Sequence, residues 1–240
     1  MLRFVVMFLA LVIPASLVDA DPPGKLLDLS NWKLTLPIDA DDSGGADEIV
    51  SPKLETFVDP RYFFINEAGD GIVFRAHCGG ATTRGSKFPR SELRQMTDRG
   101  REDADWSTAG QTLHTMTMRV AITKTPTKKK HVVCAQIHDA QDDLIMIRLE
   151  GTKLFIERNA LETVMLERKY QLGTPFDLKI QAGGGRVKVW YEEELKMDWQ
   201  VSRSGCYFKA GCYTQSNPSK GDADDAYGEV VIYRLQVREM

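Results

Sequence analysis

The chain has 240 residues, with 31 Lys and Arg against 34 Asp and Glu, so its formal net charge is −3. This balance excludes the overall positive field that is typical of nucleic-acid-binding proteins, although a single cleft can still be basic. The length is sufficient for one all-β domain whose core needs no disulfide or metal to hold it together.

Residues 1–20 have the pattern of a secretory signal peptide. Arg3 supplies the positive start, residues 4–13 are apolar, and residues 18–20 offer a small-residue cleavage site. A membrane anchor is the alternative, but the apolar run is short for a span of ~20 residues and Pro14 interrupts it. We therefore expect a secreted, extracellular protein that does not bind membranes.

Short segments rich in β-branched and aliphatic residues recur through residues 21–240, with turn residues between them. The predicted strands are residues 31–37, 71–77, 90–94, 112–124, 131–138, 144–149, 153–158, 176–181, 186–191, 207–215 and 230–237. Residues 183–185 are three glycines that predict a hairpin, and only residues 48–57 suggest a short helical turn. Many short strands in one domain predict an all-β sandwich or jelly roll.

Two charged segments are interpreted as solvated loops. Residues 123–131 contain three consecutive lysines and are predicted to form a hairpin loop. Asp222, Asp224 and Asp225 form an acidic segment that lacks the Gly and Glu positions of an EF-hand loop, so calcium is not expected there.

The four cysteines, Cys78, Cys134, Cys206 and Cys212, allow three full disulfide pairings, and the sequence does not choose among them. On a regular strand, Cys206 and Cys212 would lie ~20 Å apart, so a bridge between them requires a bulge or a bend. Cys134 stands among apolar residues, which also suits a buried free thiol.

The first of three polar segments is Arg-Ser-Glu-Leu-Arg at residues 90–94. Because side chains alternate along a strand, Arg90, Glu92 and Arg94 fall on one face. Two arginines on one face suit bidentate binding of carboxylates, with Glu92 orienting the guanidinium groups. The alternative is an exposed charged ladder across a sheet.

The second segment places Gln136 and His138 on one face of a strand. The alternative to a functional pair is a histidine that is simply satisfied at a sheet surface. In the third segment, Tyr207, Lys209, Tyr213 and Gln215 share a face with a glycine, which suits close approach of a sugar. Ordinary amphipathic patterning is the alternative there.

Together the three segments resemble the motifs of polysaccharide lyase family 7, the alginate lyases. That family is marked by Arg-Ser/Thr-Glu-x-Arg, Gln-Ile/Val-His and Tyr-Phe-Lys-Ala-Gly-x-Tyr-x-Gln, which stand here at residues 90–94, 136–138 and 207–215. Residues 32–37 and 80–83 are also similar, so the resemblance covers essentially the whole of residues 21–240. It implies a β-jelly roll of two antiparallel sheets whose concave sheet forms an open substrate groove, with residues 21–240 as the catalytic domain.

The resemblance also implies β-elimination on a uronic acid polymer. Arg90 and Gln136 would neutralise the substrate carboxylate, since both can donate hydrogen bonds to it. His138 is basic enough to remove the C5 proton, and Tyr213 can protonate the leaving oxygen. Alternatively, a tyrosinate at Tyr213 could be the base for mannuronate, while His138 serves guluronate. The other motif residues expected to bind the substrate are Glu92, Arg94, Tyr207, Lys209 and Gln215.

Ile137 favours guluronate-containing or mixed blocks of alginate, because family members with isoleucine there tend to accept them. We expect endolytic cleavage by a monomer, with an acidic polysaccharide as the partner and no nucleic acid. No cofactor or metal is expected, because arginine and amide donors do the neutralising. The alternatives are a glucuronan lyase, a non-catalytic carbohydrate-binding jelly roll, and a glycoside hydrolase, which would need two carboxylates flanking the bond.

Overall fold

The computed structural model describes residues 21–159 and 161–240, so the expected signal peptide at residues 1–20 lies outside the described part. Within that part the strands are β1 (Trp32–Thr35), β2 (Glu48–Val50), β3 (Phe63–Ile65), β4 (Ile72–His77), β5 (Arg90–Thr97), β6 (Glu102–Asp103), β7 (His114–Lys124), β8 (His131–His138), β9 (Asp143–Glu150), β10 (Lys153–Arg158), β11 (Leu161–Glu167), β12 (Phe176–Gly183), β13 (Arg186–Tyr191), β14 (Glu194–Gln200), β15 (Tyr207–Thr214) and β16 (Tyr227–Glu239). One short helix, α1 (Lys53–Thr56), and three 3-10 helices (Pro23–Lys25, Asp98–Gly100 and Pro218–Lys220) complete the regular structure there.

The strands form two antiparallel sheets. The front sheet has nine strands in the order β11-β10-β9-β8-β15-β5-β1-β2, with β6 paired to the end of β5. The back sheet has seven strands in the order β14-β13-β12-β7-β16-β4-β3. This arrangement confirms the predicted β-jelly roll of two antiparallel sheets. None of the helices in the described ranges has the length and apolar character needed to cross a membrane.

The core lies between the sheets and is built from the alternating apolar positions of their strands. Every second residue of β12 is buried, from Phe176 to Ala182, and β15 buries Phe208, Ala210 and Cys212 completely. Burying one large apolar side chain contributes about 1.5–3 kcal/mol, so the two inner faces hold the sheets together.

Several strands were missed by the sequence patterns, and they lie mostly at sheet edges. β11 and β14 end their sheets on one side, and β3 ends the back sheet on the other. β11 and β14 are largely exposed and carry charged residues, which keeps an edge from pairing with other chains but removes the apolar alternation that predicts a strand. The segment 48–57 contains both β2 and α1 rather than a single helical turn.

The loop with three lysines is not a hairpin loop, because β7 belongs to the back sheet and β8 to the front sheet. Asp222 likewise is not solvated, since its side chain is only 4% exposed. Its carboxylate accepts hydrogen bonds from the backbone nitrogens of Lys128 at 2.7 Å and Lys129 at 3.1 Å, and from the Ser216 hydroxyl at 2.6 Å. Asp222 therefore ties the β7–β8 crossover to the connection before β16.

Candidate active site

A cleft of about 400 Å³ lies on the outward face of the front sheet. It is lined by Lys33, Thr35, Glu48, Thr83, Arg84, Gly85, Ser86, Arg90, Arg94, Gln136, His138, Gln141, Asp142, Asp143, Tyr207, Lys209 and Tyr213. The cleft thus brings together Arg90, Arg94, Gln136, His138, Tyr207, Lys209 and Tyr213 from the three sequence motifs. The register explains this, because β5, β15 and β8 are adjacent strands with these residues on one face.

Rows of paired residues cross the sheet. Lys33, Arg94, Lys209 and Gln136 stand side by side on β1, β5, β15 and β8. Two further rows pair Tyr213 with Arg90, and Tyr207 with His138. Cross-strand partners have Cβ atoms about 5 Å apart, so the motif residues form one continuous polar surface.

Glu92 lies beneath the cleft rather than in it, since it is completely buried. Its carboxylate pairs with Arg90 Nη1 at 2.8 Å and Lys209 Nζ at 2.6 Å, and it accepts a hydrogen bond from Gln136 Nε2. The expectation that Glu92 binds substrate therefore needs correction, because a side chain without solvent contact orients its neighbours instead. It also orients Arg90 and Lys209, not Arg94.

Opposing effects set the pKa values of Glu92 and Lys209, and therefore their charges. Burial raises the pKa of Glu92, but the Lys209 and Arg90 charges outweigh it, so the net shift is downward and the carboxylate is ionised. Burial, assisted by Arg90 and opposed by Glu92, lowers the pKa of Lys209 to about 8. Two cations and one anion remain, so the centre of the cleft is locally basic in a chain of net negative charge.

His138 is held in one tautomer by the backbone. Its Nδ1 lies 2.7 Å from the carbonyl oxygen of Asp139, which can only accept, so Nδ1 carries the proton. The other nitrogen, Nε2, is then the free basic position of the neutral ring. Burial, together with the charges of Lys209 and Arg90, lowers the pKa of His138 against the effect of its hydrogen bond to Asp139.

Tyr213 is in direct contact with Arg90. The Arg90 guanidinium carbon is 3.8 Å from the centre of the Tyr213 ring, and the Tyr213 hydroxyl is 3.2 Å from Ser86 Oγ. A cation over the ring face is attracted to its π electrons, and the same charge stabilises a phenolate. The phenol is therefore placed beside both a positive charge and a hydroxyl group.

A bulge in β15 lies directly before Tyr213. Gly211 and Cys212 together oppose one residue of β8, while β15 stays in register with β5. Gly211 has a φ of 144°, and a Cβ there would lie 2.6 Å from the Ser91 carbonyl oxygen. Glycine is required at this point because any side chain would collide with the neighbouring strand.

Tyr207 forms the wall beside His138. The two rings stack with centroids 5.2 Å apart, and the Arg94 guanidinium carbon lies 4.0 Å from the Tyr207 ring centre. Arg94 also pairs with Asp103 of β6. Gln215 stands apart from the cleft-lining residues: it is buried beyond the end of β15, with its amide nitrogen 3.9 Å from the Met146 sulfur.

Sequence reasoning missed several other residues of the cleft, among them Ser86 in the β4–β5 connection and Asp143 at the start of β9. Asp143 pairs with His138 across β8 and β9, and its Oδ2 atom is buried without a hydrogen-bond partner. Burial, and then the neighbouring Asp142, raises the pKa of Asp143 to about 7. The only available signal was position, since Ser86 lies four residues before the first motif and Asp143 five residues after the second.

Three carboxylates, those of Asp39, Asp41 and Asp47, come within 4.8 Å of one another in a loop outside the cleft. Each accepts hydrogen bonds from backbone nitrogens of the same loop, such as that of Ser43 on Asp39 and Asp41. Their arrangement is that of a loop stabilised by its own side chains.

Known proteins match the chain over nearly its whole length. The family model Alginate_lyase2, described as alginate lyase, matches residues 27–239. Alginate lyase AlgAT5 of polysaccharide lyase family 7 is 52% identical with a TM-score of 0.87, covering 91% of this chain and 99% of that one. An alginate lyase from Corynebacterium sp. is 43% identical with a TM-score of 0.87, covering 92% of this chain and 99% of that one.

Two further relatives match a smaller part of the chain or match it at a lower identity. A curated alginate lyase of Klebsiella pneumoniae is 39% identical over 80 residues, which is 32% of this chain and only 26% of that protein. A double variant of the family 7 alginate lyase A1-II' was solved in complex with substrate (GGMG). It is 26% identical with a TM-score of 0.79, covering 92% of this chain and 97% of that one. The family match over residues 27–239 and the 52% identical relative show that the chain belongs to the alginate lyases of polysaccharide lyase family 7.

Proposed function

We propose that the protein cleaves alginate within guluronate-containing or mixed blocks by β-elimination, and that it acts as a secreted enzyme. The observation that carries the proposal is the single cleft in which a tautomer-fixed His138 and a cation-supported Tyr213 flank Arg90 and Gln136. Elimination needs a neutralised carboxylate, a base and an acid, and these four side chains supply all three.

Arg90 and Gln136 are suited to neutralising the substrate carboxylate. Glu92 takes one hydrogen of the Gln136 amide and one of Arg90 Nη1, so both groups are held in place and keep further hydrogens for a ligand. Hydrogen bonds to the carboxylate stabilise the enolate-like charge that develops when the C5 proton leaves. Because these donors are already oriented, little reorganisation is needed during the reaction.

His138 Nε2 is the proposed base and Tyr213 the proposed acid. The lowered pKa of His138 keeps the ring neutral near pH 7, so the basic nitrogen is available without prior deprotonation. Tyr213 then gives its proton to the leaving glycosidic oxygen. For mannuronate, where the C5 proton lies on the other side, Tyr213 could serve as both base and acid.

An endolytic mode is supported by the extent of the cleft. Lining residues run from Glu48 on β2 to Asp143 on β9, across five strand spacings of about 4.8 Å, or about 24 Å in all. That length accommodates several sugars of one polymer. The preference for guluronate-containing blocks rests on Ile137 and on the substrate (GGMG) of the A1-II' complex, and export rests on the pattern of residues 1–20.

The decisive experiment incubates residues 21–240 separately with polyguluronate, polymannuronate and glucuronan, and follows the ultraviolet absorbance of unsaturated uronate. We expect a rise with alginate substrates that is greatest with guluronate, and a loss of at least about a hundredfold in kcat for Tyr213→Phe. Lys128→Gln, in an exposed loop, is the matched control and should match the unmodified protein.

Other outcomes point to other functions. A faster rise with glucuronan would assign the enzyme to that polymer. Binding of all three polymers without any absorbance change would refute the proposed lyase activity and favour a carbohydrate-binding module. A glycoside hydrolase is disfavoured by the burial of Glu92, whose lowered pKa makes it a poor acid.

A further inference from the structure

We propose that Ser86 is a positioning residue for Tyr213. The Ser86 hydroxyl group accepts a hydrogen bond from Arg90 and is held where it can donate one to the phenol oxygen, so the charge of Arg90 strengthens that donor. The inference rests on the proposed elimination, in which Tyr213 gives a proton to the leaving oxygen. Ser86 lies outside the three sequence motifs, in the β4–β5 connection of residues 78–89.

Four groups surround Ser86 Oγ. Arg90 Nη2 donates to it at 3.1 Å, and the backbone nitrogen of Phe88 donates at 3.3 Å. The Phe88 carbonyl oxygen lies 3.0 Å away and can only accept, and the Tyr213 hydroxyl lies at 3.2 Å. The backbone nitrogen of Ser86 is itself bonded to the Thr83 carbonyl at 2.9 Å, which fixes the turn.

Counting donors and acceptors limits what the hydroxyl can do. A serine hydroxyl has one proton and two lone pairs. Arg90 and the Phe88 N–H occupy both lone pairs, so none remains to accept from Tyr213. The single Ser86 proton has two possible acceptors, the Phe88 carbonyl and the Tyr213 oxygen. Toward Tyr213, Ser86 can therefore act only as a donor, and the phenol's own proton is left free to point into the cleft.

This arrangement fits both protonation states of the phenol. In the resting enzyme the Ser86 O–H can donate to the Phe88 carbonyl oxygen while Tyr213 keeps its proton for the substrate. When the C5 proton has moved to His138 Nε2 and the Tyr213 proton to the glycosidic oxygen, the Ser86 O–H rotates toward the new phenolate. No proton leaves Ser86, and the proton on His138 returns to Tyr213 through solvent, so the cycle closes.

Arg90 is connected to the phenol by two routes. Its guanidinium carbon lies 3.8 Å from the Tyr213 ring centre, and its Nη2 donates to Ser86 Oγ. A hydroxyl that accepts from a cation is a stronger donor, because hydrogen bonds in a chain polarise one another. Ser86 thus adds a directed contact at the phenolate oxygen to the ring-face contact.

The test compares Ser86→Ala with Ser86→Thr, which keeps the hydroxyl group, on polyguluronate over a range of pH. We expect Ser86→Ala to lower kcat by about tenfold or more with KM within about twofold, and Ser86→Thr to restore most of the rate. The split between a large change in kcat and a small change in KM is the signature of a contact that strengthens only as the phenolate forms. Ser219→Ala, an exposed serine outside the cleft, is the control.

A purely structural role in the turn would change KM together with kcat, or leave Ser86→Thr as slow as Ser86→Ala, and either result would overturn the proposal. So would an unchanged kcat in Ser86→Ala. If Ser86→Ala does not fold, Ser86→Cys gives the same comparison, because a thiol is a weak donor. An inactive unmodified protein would refute the proposed function instead, so the two failures are distinguishable.

Discussion

Glu92 shows how one buried side chain organises the groups around it. It is the single carboxylate among Arg90, Lys209 and Gln136, and its complete burial removes any screening by solvent. Taking such charges out of water costs free energy, and the attraction between them offsets that cost only while every partner is present. The Glu92 group is therefore a place where one substitution should affect stability and activity together.

We expect Glu92→Gln to lower the free energy of unfolding by about 3 kcal/mol, because two buried cations lose their counter-charge. Urea denaturation at neutral pH measures the change. The double variant Glu92→Gln/Lys209→Met should recover part of the loss, since it removes one of the cations, and the exposed Glu102→Gln should have no effect. Wild-type stability in Glu92→Gln would contradict this view of the group.

At the residue scale, alternation along strands predicted which side chains face the cleft but not their depth. Arg90, Glu92 and Arg94 do share one side of β5, yet Glu92 is covered by its neighbours while Arg94 reaches Asp103. Ser86 and Asp143 lie in or beside loops, where no period relates position to direction. Depth and loop geometry depend on long side chains from other strands, which a single segment does not reveal.

At the scale of elements, strands with an apolar inner face were predictable, and strands at the edges were not. The inner face of β15 carries Phe208, Ala210 and Cys212, all completely buried, as the alternation indicated. β14 exposes most of its residues, so its sequence resembles a loop. The β7–β8 crossover was mistaken for a hairpin because sequence gives no sign of which sheet a strand joins.

Asp222 links the β7–β8 crossover to the connection before β16. We expect Asp222→Asn to destabilise the protein by about 2 kcal/mol at pH 7, because the hydrogen bonds to its carboxylate are weakened. Burial raises the pKa of Asp222, but its hydrogen bonds with Ser216, Lys128 and Lys129 outweigh that effect and the net pKa is lowered. The stabilisation is therefore present above the unfolded value of about 3.9 and is lost as pH falls through the lower folded pKa.

Urea denaturation at neutral and acidic pH measures this dependence. The difference between Asp222→Asn and the unmodified protein should shrink in acid, while the exposed neighbour Asp225→Asn should show no difference at either pH. An effect of Asp222→Asn that is independent of pH would contradict the role assigned to its charge.

For the whole molecule, charge is distributed unevenly. The chain has a net charge of −3, but the cations that line its cleft outnumber the carboxylates of Glu48, Asp142 and Asp143. These cations are Lys33, Arg84, Arg90, Arg94 and Lys209. A polyanionic substrate would be attracted to this cleft despite the net negative charge of the chain. Composition alone could not predict that contrast, since it requires strands distant in sequence to lie side by side.

We expect KM for alginate to rise about threefold or more between low and high salt with little change in kcat, since salt screens the attraction of exposed charges. Arg84→Gln, at the exposed rim of the cleft, should reduce this dependence, whereas Lys128→Gln should not. Steady-state kinetics at several NaCl concentrations provide the measurement. A KM that does not respond to salt would show that substrate capture does not depend on the charge of the cleft.

All four cysteines are free and buried between the sheets or beneath loops. Burial raises the pKa of Cys78 to about 11 and those of Cys206 and Cys212 to about 12, so reactive thiolates are scarce. The fold therefore depends on no covalent cross-link that an oxidising compartment must supply. Production in a reducing cytoplasm, and recovery from denaturant without a thiol-exchange system, should both yield the native enzyme.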